Sequence, residues 1–267
     1  MTSSKVPSRD NEAFWRDYLT RGDGMERRVR RVFRLIPQSP RCKLCAAPFG
    51  GLGAPVMRAF GRFPATKNPA MCNSCFAYME RHHGGAEIDA SFMFADIRGS
   101  TSLAERMSAG EFHGLLDRFY VTAAQVVYDH DGGVDKYVGD EIVAFFFPVM
   151  SGERHAEQAV KAATAILRAT GHEDRGGPWL PVGAGVGSGM AWVGAIGDAQ
   201  HTDVTAVGDN VNITARLAAA AGTGEVLVTV EAATAAGLDP SLPVEQLDLK
   251  GKQAPTRVVR LSVRPPD

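Results

Sequence analysis

The sequence lacks the features that would direct it to a membrane or to a nucleic acid. It contains no run of 18 apolar residues, and its N-terminal segment lacks the apolar core of a secretory signal. The net charge of -1 at pH 7 provides no general attraction to nucleic acid. We therefore expect a cytoplasmic protein with no membrane span and no nucleic-acid partner.

Cysteine is scarce, and its four copies form two pairs. Cys42 and Cys45 make the first Cys-x-x-Cys pair, and Cys72 and Cys75 make the second. Two such pairs can place four thiolates around one metal ion, whereas structural disulfides are not expected in a reducing compartment. We expect structural zinc, with an iron–sulfur cluster or a redox pair as alternatives. The loop between the pairs has little apolar pattern, so we expect the metal to contribute much of its folding.

Two helices are predicted before the cysteines, over 10–20 and 25–36, with Pro37 ending the second. Apolar residues recur at helical spacing in both. Five arginines fill the remaining positions of the second helix: Arg27, Arg28, Arg30, Arg31 and Arg34. We favour the interpretation that this basic face is exposed to solvent. The alternatives are that it contacts a second subunit, an anionic surface or a nucleic acid.

The rest of the chain alternates between strands and helices, with hairpins among them. This order indicates an α+β fold in which helices cover a mostly antiparallel sheet. We expect an N-terminal domain over 1–85 and a second domain over 86–267. Strands are predicted near 88–96, in a hairpin over 134–147, in a pair over 181–196, and near 225–229, 244–250 and 256–263. Helices are predicted near 99–107, 109–130, 153–170 and 209–221.

Glycine alternates along one predicted strand, at Gly183, Gly185, Gly187 and Gly189. Alternate residues of a strand share a face, so another element is expected to pack very closely there. The spacing does not fit a dinucleotide-binding fingerprint.

Two carboxylates stand at the ends of predicted strands. Asp96 ends an apolar run, Gly99 breaks the strand, and Ser100 and Thr101 are expected to cap the next helix. Asp140 lies at the tip of the predicted hairpin. An acidic side chain beside the free amides of a helix start suits a metal ion that carries a phosphate group.

Four motifs then follow one another along the chain. They are Phe94-Ala-Asp-Ile-Arg-Gly, Lys136-Tyr-Val-Gly-Asp140, Val207-Gly-Asp-Asn-Val-Asn-Ile-Thr-Ala-Arg216 and Leu249-Lys-Gly. In this order and spacing they make residues 88–263 resemble the catalytic domain of class III nucleotidyl cyclases. The resemblance implies a ferredoxin-like βαββαβ core that dimerises head to tail, with ATP bound between the subunits.

The resemblance also implies roles for individual residues. Asp96 and Asp140, with the backbone carbonyl of Ile97, match the ligands of two magnesium or manganese ions. Asn212 and Arg216 lie four apart on a predicted helix and match the transition-state pair. Asn212 would orient the ribose, and Arg216 would contact the α-phosphate as charge develops there. The implied reaction is attack of the ribose 3′-hydroxyl on the α-phosphate with loss of pyrophosphate, assisted by two metal ions.

Three further positions concern substrate binding. Lys136 matches a lysine of adenylyl cyclases, where guanylyl cyclases usually carry glutamate, and its ammonium can donate to N1 of adenine. Thr205 replaces the aspartate that is usual at its position, and a hydroxyl discriminates less sharply than a carboxylate. Lys250 matches a lysine that contacts phosphate. We expect ATP as the substrate, with residual use of GTP.

The sequence therefore predicts a homodimeric adenylyl cyclase that makes 3′,5′-cyclic AMP and is regulated by residues 1–85. The metal-binding aspartates would meet the base-contacting and transition-state residues only across the subunit interface. The alternatives are a guanylyl cyclase, a regulatory protein in which the cyclase fold has lost activity, and a zinc-dependent nucleic-acid-binding protein that uses the arginine-rich helix.

Overall fold

The computed structural model describes residues 9–22, 24–36, 40–197 and 202–264. Its helices are α1 (Arg9–Thr20), α2 (Gly24–Phe33), α3 (Gly53–Ala59), α4 (Asn73–Arg81), α5 (Ser100–Arg106), α6 (Ala109–Asp129), α7 (Pro148–Ser151), α8 (His155–Ala169), α9 (Asp209–Ala220) and α10 (Val230–Ala235). Its strands are β1 (Gly84–Ile97), β2 (Gly133–Val138), β3 (Glu141–Phe146), β4 (Val182–Gly197), β5 (Thr202–Val207), β6 (Glu225–Thr229), β7 (Val244–Leu247) and β8 (Thr256–Ser262). Among the described residues, no helix has both the length and the apolar character needed to cross a bilayer.

The chain folds into two compact units that do not follow the order of the sequence. The first unit contains the described residues up to Asp89 together with 147–152 and 190–208. The second unit contains 90–146, 153–189 and the residues from Asp209 onward. The sequence suggests a domain boundary near residue 85, and this boundary stays a prediction. The first unit also contains 147–152 and 190–208, which lie well beyond that boundary in the sequence.

The sheet is mixed and mostly antiparallel, in the order β2-β3-β1-β4-β6-β8-β7, with β5 paired to β4. Strand β3 is antiparallel to β1 and to β2, and β8 is antiparallel to β6 and to β7. Strand β6 runs parallel to β4. Helices α6 and α8 supply buried side chains to the same apolar core as these strands, including Phe119, Val127 and Ile166. The predicted α+β class is therefore confirmed.

Helix α6 illustrates how the sequence sets an element's start. Ser108 precedes the helix with an extended backbone, and its hydroxyl accepts a hydrogen bond from the Glu111 amide at 3.3 Å. The Glu111 carboxylate accepts in return from the Ser108 amide at 2.8 Å. This reciprocal capping satisfies two amides that the helix itself leaves unpaired, so the helix begins where the sequence predicts.

The close packing predicted for the alternating glycines is confirmed, and the element that packs there is α9. A Cβ atom on Gly185 would lie 2.5 Å from the backbone nitrogen of Ala218 and 2.5 Å from the backbone oxygen of Thr214. A Cβ atom on Gly187 would overlap the Thr214 side chain. The helix carrying the predicted transition-state residues is thus held directly against β4.

In the first unit, aromatic residues of α1 pack on α4. The Trp15 indole donates a hydrogen bond to the carbonyl oxygen of His82 at 3.1 Å, and the Tyr18 hydroxyl donates to that of Cys75 at 3.3 Å. Both side chains are buried, as is Leu19. The predicted helix over 10–20 is therefore confirmed.

Two local predictions are wrong, and the loop between the cysteine pairs is more ordered than its sequence pattern suggests. Ser100 and Thr101 do not cap α5, because the helix begins after Gly99, whose φ of 69° turns the chain without a side-chain bond. The segment 182–197 is one long strand rather than a pair. The loop between the cysteine pairs contains α3 and buries apolar side chains, among them Met57 and Met71.

The arginine-rich helix is also shorter than the sequence predicts. Helix α2 ends at Phe33, and the next residues continue as hydrogen-bonded turns. Pro37, which was expected to end the helix, lies outside the described residues.

Candidate active site and metal centre

The second unit brings the two predicted metal-binding aspartates together. Asp96 stands opposite Glu141 in the antiparallel pairing of β1 with β3, and Asp140 occupies the turn just before β3. The backbone amide of Ile97 donates a hydrogen bond to the carbonyl oxygen of Asp140 at 3.3 Å. The Asp140 carboxylate lies near enough to Asp96 to raise the pKa of the Asp96 carboxyl. The end of β1 and the hairpin tip therefore form one acidic site.

Tyr120 of α6 holds the hairpin tip in place. Its hydroxyl donates a hydrogen bond to the carbonyl oxygen of Gly139, and its ring stacks on that of Tyr137 with the centroids 4.3 Å apart. Gly139 has a φ of 62°, a conformation that glycine adopts without steric cost. The sequence motif contains Gly139 and Tyr137, but nothing in it indicated Tyr120.

Arg98 provides positive charge at this site. Its guanidinium donates to the Asp96 carboxylate and also to the backbone oxygens of Ala219 at 2.9 Å and Ala221 at 3.2 Å, at the C-terminal end of α9. Burial raises the pKa of Asp96 to about 6, while Arg98 opposes the shift and the Asp140 carboxylate adds to it. Arg98 therefore offsets part of the negative charge without neutralising the whole site.

Glu141 is a third carboxyl group near the site, and it was not among the residues predicted from the sequence. Burial, together with the nearby charges of Asp96 and Asp140, raises the pKa of Glu141 to about 7 against the opposing effect of Arg98. Its position directly after Asp140 was the available signal. Magnesium and manganese prefer oxygen donors, so the neighbouring Asp96 and Asp140 carboxylates fit a divalent cation.

Asn212 and Arg216 lie on α9, in the same unit. The face of α9 that packs inward carries Thr214, Leu217 and Ala218, which are buried, whereas Asn212 is exposed and Arg216 is half-buried. The two residues lie four apart and therefore share the opposite face of the helix. Their side chains are available to a ligand rather than committed to the core.

The loop between β7 and β8 approaches Arg216. A Cβ atom on Gly251 would lie 3.4 Å from the Nη2 atom of Arg216. Lys250, next to Gly251, is exposed, whereas the ammonium of Lys252 lies 2.6 Å from a carboxylate oxygen of Asp209. Of the two neighbouring lysines, Lys252 is engaged in an ion pair and Lys250 is directed to solvent.

The two predicted base-contacting residues fall in different units. Lys136 lies on β2 of the second unit, where its ammonium is 3.6 Å from a carboxylate oxygen of Asp135. Thr205 lies on β5 of the first unit, is buried, and stands opposite Gly194 of β4.

The four cysteines form a compact cluster in the first unit. Their sulfur atoms all lie within 4.8 Å of one another, all four side chains are buried and none forms a disulfide. The Sγ atoms of Cys45 and Cys72 are 3.8 Å apart. The backbone amide of Cys72 lies 3.1 Å from Cys42 Sγ, and that of Cys75 lies 3.5 Å from Cys72 Sγ. The cluster could hold a metal ion, as the spacing predicts.

The charges around this cluster favour thiolates in part of it. The Arg62 guanidinium lies 3.3 Å from Cys45 Sγ and 3.9 Å from Cys72 Sγ. Hydrogen bonds from neighbouring thiols lower the pKa of Cys45 and of Cys72, whereas burial raises the pKa of Cys42. Hydrogen bonding to the other thiols likewise raises the pKa of Cys75. His82 and His83 are not part of the cluster.

Residues 86–258 match the family described as the adenylate and guanylate cyclase catalytic domain. The chain belongs to this family. An uncharacterized protein of Mycobacterium tuberculosis (strain CDC 1551 / Oshkosh) is 31% identical over 188 residues, which cover 68% of this chain and 33% of that protein. Adenylate cyclase 1 of Rhizobium meliloti (strain 1021) is 32% identical over 144 residues, which cover 51% of this chain and 22% of that enzyme. The chain thus spans a third or less of the length of these relatives.

Solved cyclase structures have the same fold. The guanylyl cyclase Cya2 superposes with a TM-score of 0.62 and 25% identity, over 67% of this chain and 99% of Cya2. The adenylyl cyclase CyaB from P. aeruginosa superposes with a TM-score of 0.57 and 26% identity, over 66% of this chain and 95% of CyaB. The resemblance seen in the sequence motifs is therefore confirmed for the family and for the cyclase fold.

Proposed function

We propose that this chain is an adenylyl cyclase that converts ATP to 3′,5′-cyclic AMP and pyrophosphate. The observation that carries the proposal is the acidic site formed by Asp96 and Asp140 in a chain of the cyclase family. The adenylate cyclase of Rhizobium meliloti and the adenylyl cyclase CyaB are both similar to this chain, which supports the same reaction here.

Each residue of the proposed site has a distinct task. Asp96, Asp140 and the carbonyl of Ile97 would hold magnesium or manganese. When bound, these ions lower the pKa of the ribose 3′-hydroxyl and offset charge on the departing pyrophosphate. Asn212 orients the ribose, and Arg216 contacts the α-phosphate, with Lys250 as a further phosphate contact. The 3′-oxygen forms a bond to the α-phosphorus, the bond to pyrophosphate breaks, and the hydroxyl proton passes to solvent.

Base selection is assigned to Lys136 and Thr205. The half-exposed ammonium of Lys136 is available to donate to adenine N1, which favours ATP. Thr205 can both donate and accept, so GTP is the second candidate substrate. The similarity to the guanylyl cyclase Cya2 also keeps that alternative open to test.

We further propose a homodimer with active sites at the subunit interface. Asn212 and Arg216 face away from the sheet that α9 packs against, which leaves them free to meet a partner. The hairpin tip beside the acidic site exposes two apolar side chains, with Tyr137 44% and Val138 52% exposed. Exposed apolar groups next to a polar site are typical of an interaction surface.

For the cysteine cluster we propose one structural zinc ion. A tetrahedron with Zn–S bonds of about 2.3 Å has sulfur–sulfur edges of about 3.8 Å, and the Cys45–Cys72 separation is 3.8 Å. A cluster of several iron and sulfide atoms would hold the thiolates further apart, so the compact spacing supports a single ion. Metal analysis of the purified protein should find about one zinc per chain and much less in Cys45→Ser. Iron with inorganic sulfide would contradict this assignment.

We also propose that residues 1–85 form an N-terminal domain that regulates a catalytic domain over 86–267. Within the first unit, the segment after α4 touches the strand pair that carries Thr205. A Cβ atom on Gly85 would overlap the backbone oxygen of Val193, and one on Gly194 would overlap that of Gly84. Gly194 is the pairing partner of Thr205, so movement of α4 would be transmitted to the proposed base contact.

Lys67 adds a second connection, which allows a test of this regulation. Its ammonium lies 3.2 Å from Glu80 of α4 and 3.3 Å from Asp203 of β5, two residues before Thr205. Lys67→Gln should change the ratio of kcat/KM for ATP over GTP through KM. Glu12→Gln is the matched control, because it breaks a similarly exposed ion pair with Arg16. An unchanged ratio in both variants would contradict the proposed coupling.

The reaction itself is tested by turnover of ATP and GTP with manganese or magnesium. The parent protein should produce cyclic AMP, and Asp96→Ala and Asn212→Ala should each reduce kcat by about 100-fold or more. Asp117→Ala, on an exposed position of α6, is the control and should retain parental activity. A predominance of cyclic GMP would identify a guanylyl cyclase. Absence of any cyclic nucleotide from folded, metal-supplemented protein would reject the proposed reaction.

A further inference from the structure

The first unit contains a cavity that the proposed reaction does not use. Its volume is ≈ 650 Å³, within the range of pockets that bind small molecules. Arg30, Arg31 and Arg34 line it from the C-terminal end of α2, and Pro148, Val149 and Met150 line it with apolar atoms. One wall is therefore cationic and another is apolar.

Helix geometry explains why three arginines converge here. The Arg34 amide donates to the carbonyl oxygen of Arg30 at 3.0 Å, so helical geometry continues past the end of α2. Residues three and four apart share a helix face, which places Arg30, Arg31 and Arg34 together. Arg28 is exposed and does not line the cavity, although it lies only three residues before Arg31. Among the described arginines of this segment, Arg30, Arg31 and Arg34 therefore line the cavity and Arg28 does not.

Among the described residues that line this cavity, none is acidic. Within the described part of the chain, no ion pair involves Arg31 or Arg34. The protein as a whole carries a net charge of -1, so the local excess of positive charge is a property of this site rather than of the entire surface. Two guanidinium groups at the mouth of a cavity attract an anion from solution.

We propose that this cavity binds a small phosphate ester. The planar guanidinium forks of Arg31 and Arg34 match the oxygens of a phosphate group, which they can contact in pairs. Pro148, Val149 and Met150 would cover the organic part of the ligand. A nucleic acid is a poorer fit, because phosphate-backbone binding uses an extended basic surface rather than a concave pocket with an apolar wall.

Titration calorimetry of the full-length protein with phenyl phosphate tests the proposal, in buffer without added divalent ions. The parent should bind, and Arg31→Gln and Arg34→Gln should each weaken binding by about tenfold. Arg31→Lys should have an affinity between that of the glutamine variants and that of the parent. Lysine keeps the positive charge but lacks the planar guanidinium that can contact two phosphate oxygens. Arg28→Gln, which removes the same charge from the same helix, should change the affinity less than twofold. Circular dichroism establishes that each variant is folded.

Further measurements separate this cavity from the proposed nucleotide site and from other ligands. Asn212→Ala and Arg216→Gln should leave the affinity for phenyl phosphate unchanged, since neither residue lines the cavity. Inorganic phosphate, which lacks an organic part, and benzoate, which lacks a phosphate, should both bind more weakly. The proposal is overturned if the parent does not bind phenyl phosphate, if Arg28→Gln loses as much affinity as Arg31→Gln, or if benzoate binds equally well.

Discussion

His172 is a buried side chain whose ionisation is linked to folding. Its Nδ1 atom donates to the carbonyl oxygen of Leu167 at 2.9 Å, while Nε2 accepts a hydrogen bond from the Val182 amide at 3.3 Å. This arrangement requires the neutral ring, because a proton on Nε2 would remove the acceptor. Burial lowers the pKa of His172, with the Leu167 carbonyl opposing the shift. The folded protein therefore disfavours the protonated form.

We expect the free energy of unfolding to fall as the solution becomes acidic. A histidine whose pKa is lowered on folding contributes stability that is fully present above its unfolded pKa of about 6.5 and is lost as pH falls below that value. One such group can change stability by at most about 1.4 kcal/mol per pH unit. Urea unfolding at pH 7.5 and 5.5 should show a smaller pH-dependent loss in His172→Gln than in the parent.

The exposed His113 provides the control for this measurement. His113→Gln should keep the parental dependence on pH. If His172→Gln also keeps it, the buried ring does not account for the acid sensitivity.

The packing of α9 on β4 depends on glycine. At Gly185 an added Cβ atom would meet the backbone of α9, which cannot move aside as a flexible side chain could. We expect Gly185→Ala to lower the free energy of unfolding by about 1–3 kcal/mol, because overpacking forces the helix away from the strand. Chemical denaturation of the purified variant would measure the change.

Gly114 is the matched control for that substitution. It lies within α6, and no atom would approach an added Cβ atom within 4 Å. Gly114→Ala should raise the free energy of unfolding by about 0.5–1 kcal/mol, because alanine favours the helix. Equal effects of the two substitutions would mean that α9 does not constrain β4 in the way described.

These elements also show what the sequence could predict. Helices α6, α8 and α9 were predicted close to their observed bounds, because apolar residues recur along them at helical spacing. Strand β4 was predicted as a pair near 181–196, whereas it runs unbroken over Val182–Gly197. Strand β5 was not predicted, because its six residues form a strand by pairing with β4, and that pairing is not visible in the sequence.

The residues of the candidate site were also predicted only in part. Asp96 and Asp140 were found from motifs that contain them, and the structure brings them together. Glu141 and Arg98 lie beside the two aspartates in the sequence, but their contacts, like that of Tyr120 with Gly139, are seen only in the folded structure. The first unit was beyond prediction for the same reason, because it assembles residues up to Asp89 with two segments that lie far along the chain.

The proposed homodimer makes the strongest prediction at the scale of the whole molecule, and mixing two inactive variants tests it. Asp96→Ala and Asn212→Ala should each be inactive alone. A mixed dimer would combine the intact Asn212 of one subunit with the intact Asp96 of the other and so restore one of its two sites. With random exchange, an equal mixture should regain roughly a quarter of parental cyclic AMP production, as expected for a symmetric dimer. If mixing restores no activity although exchange of subunits is demonstrated, Asp96 and Asn212 act within one subunit and the interface site is rejected.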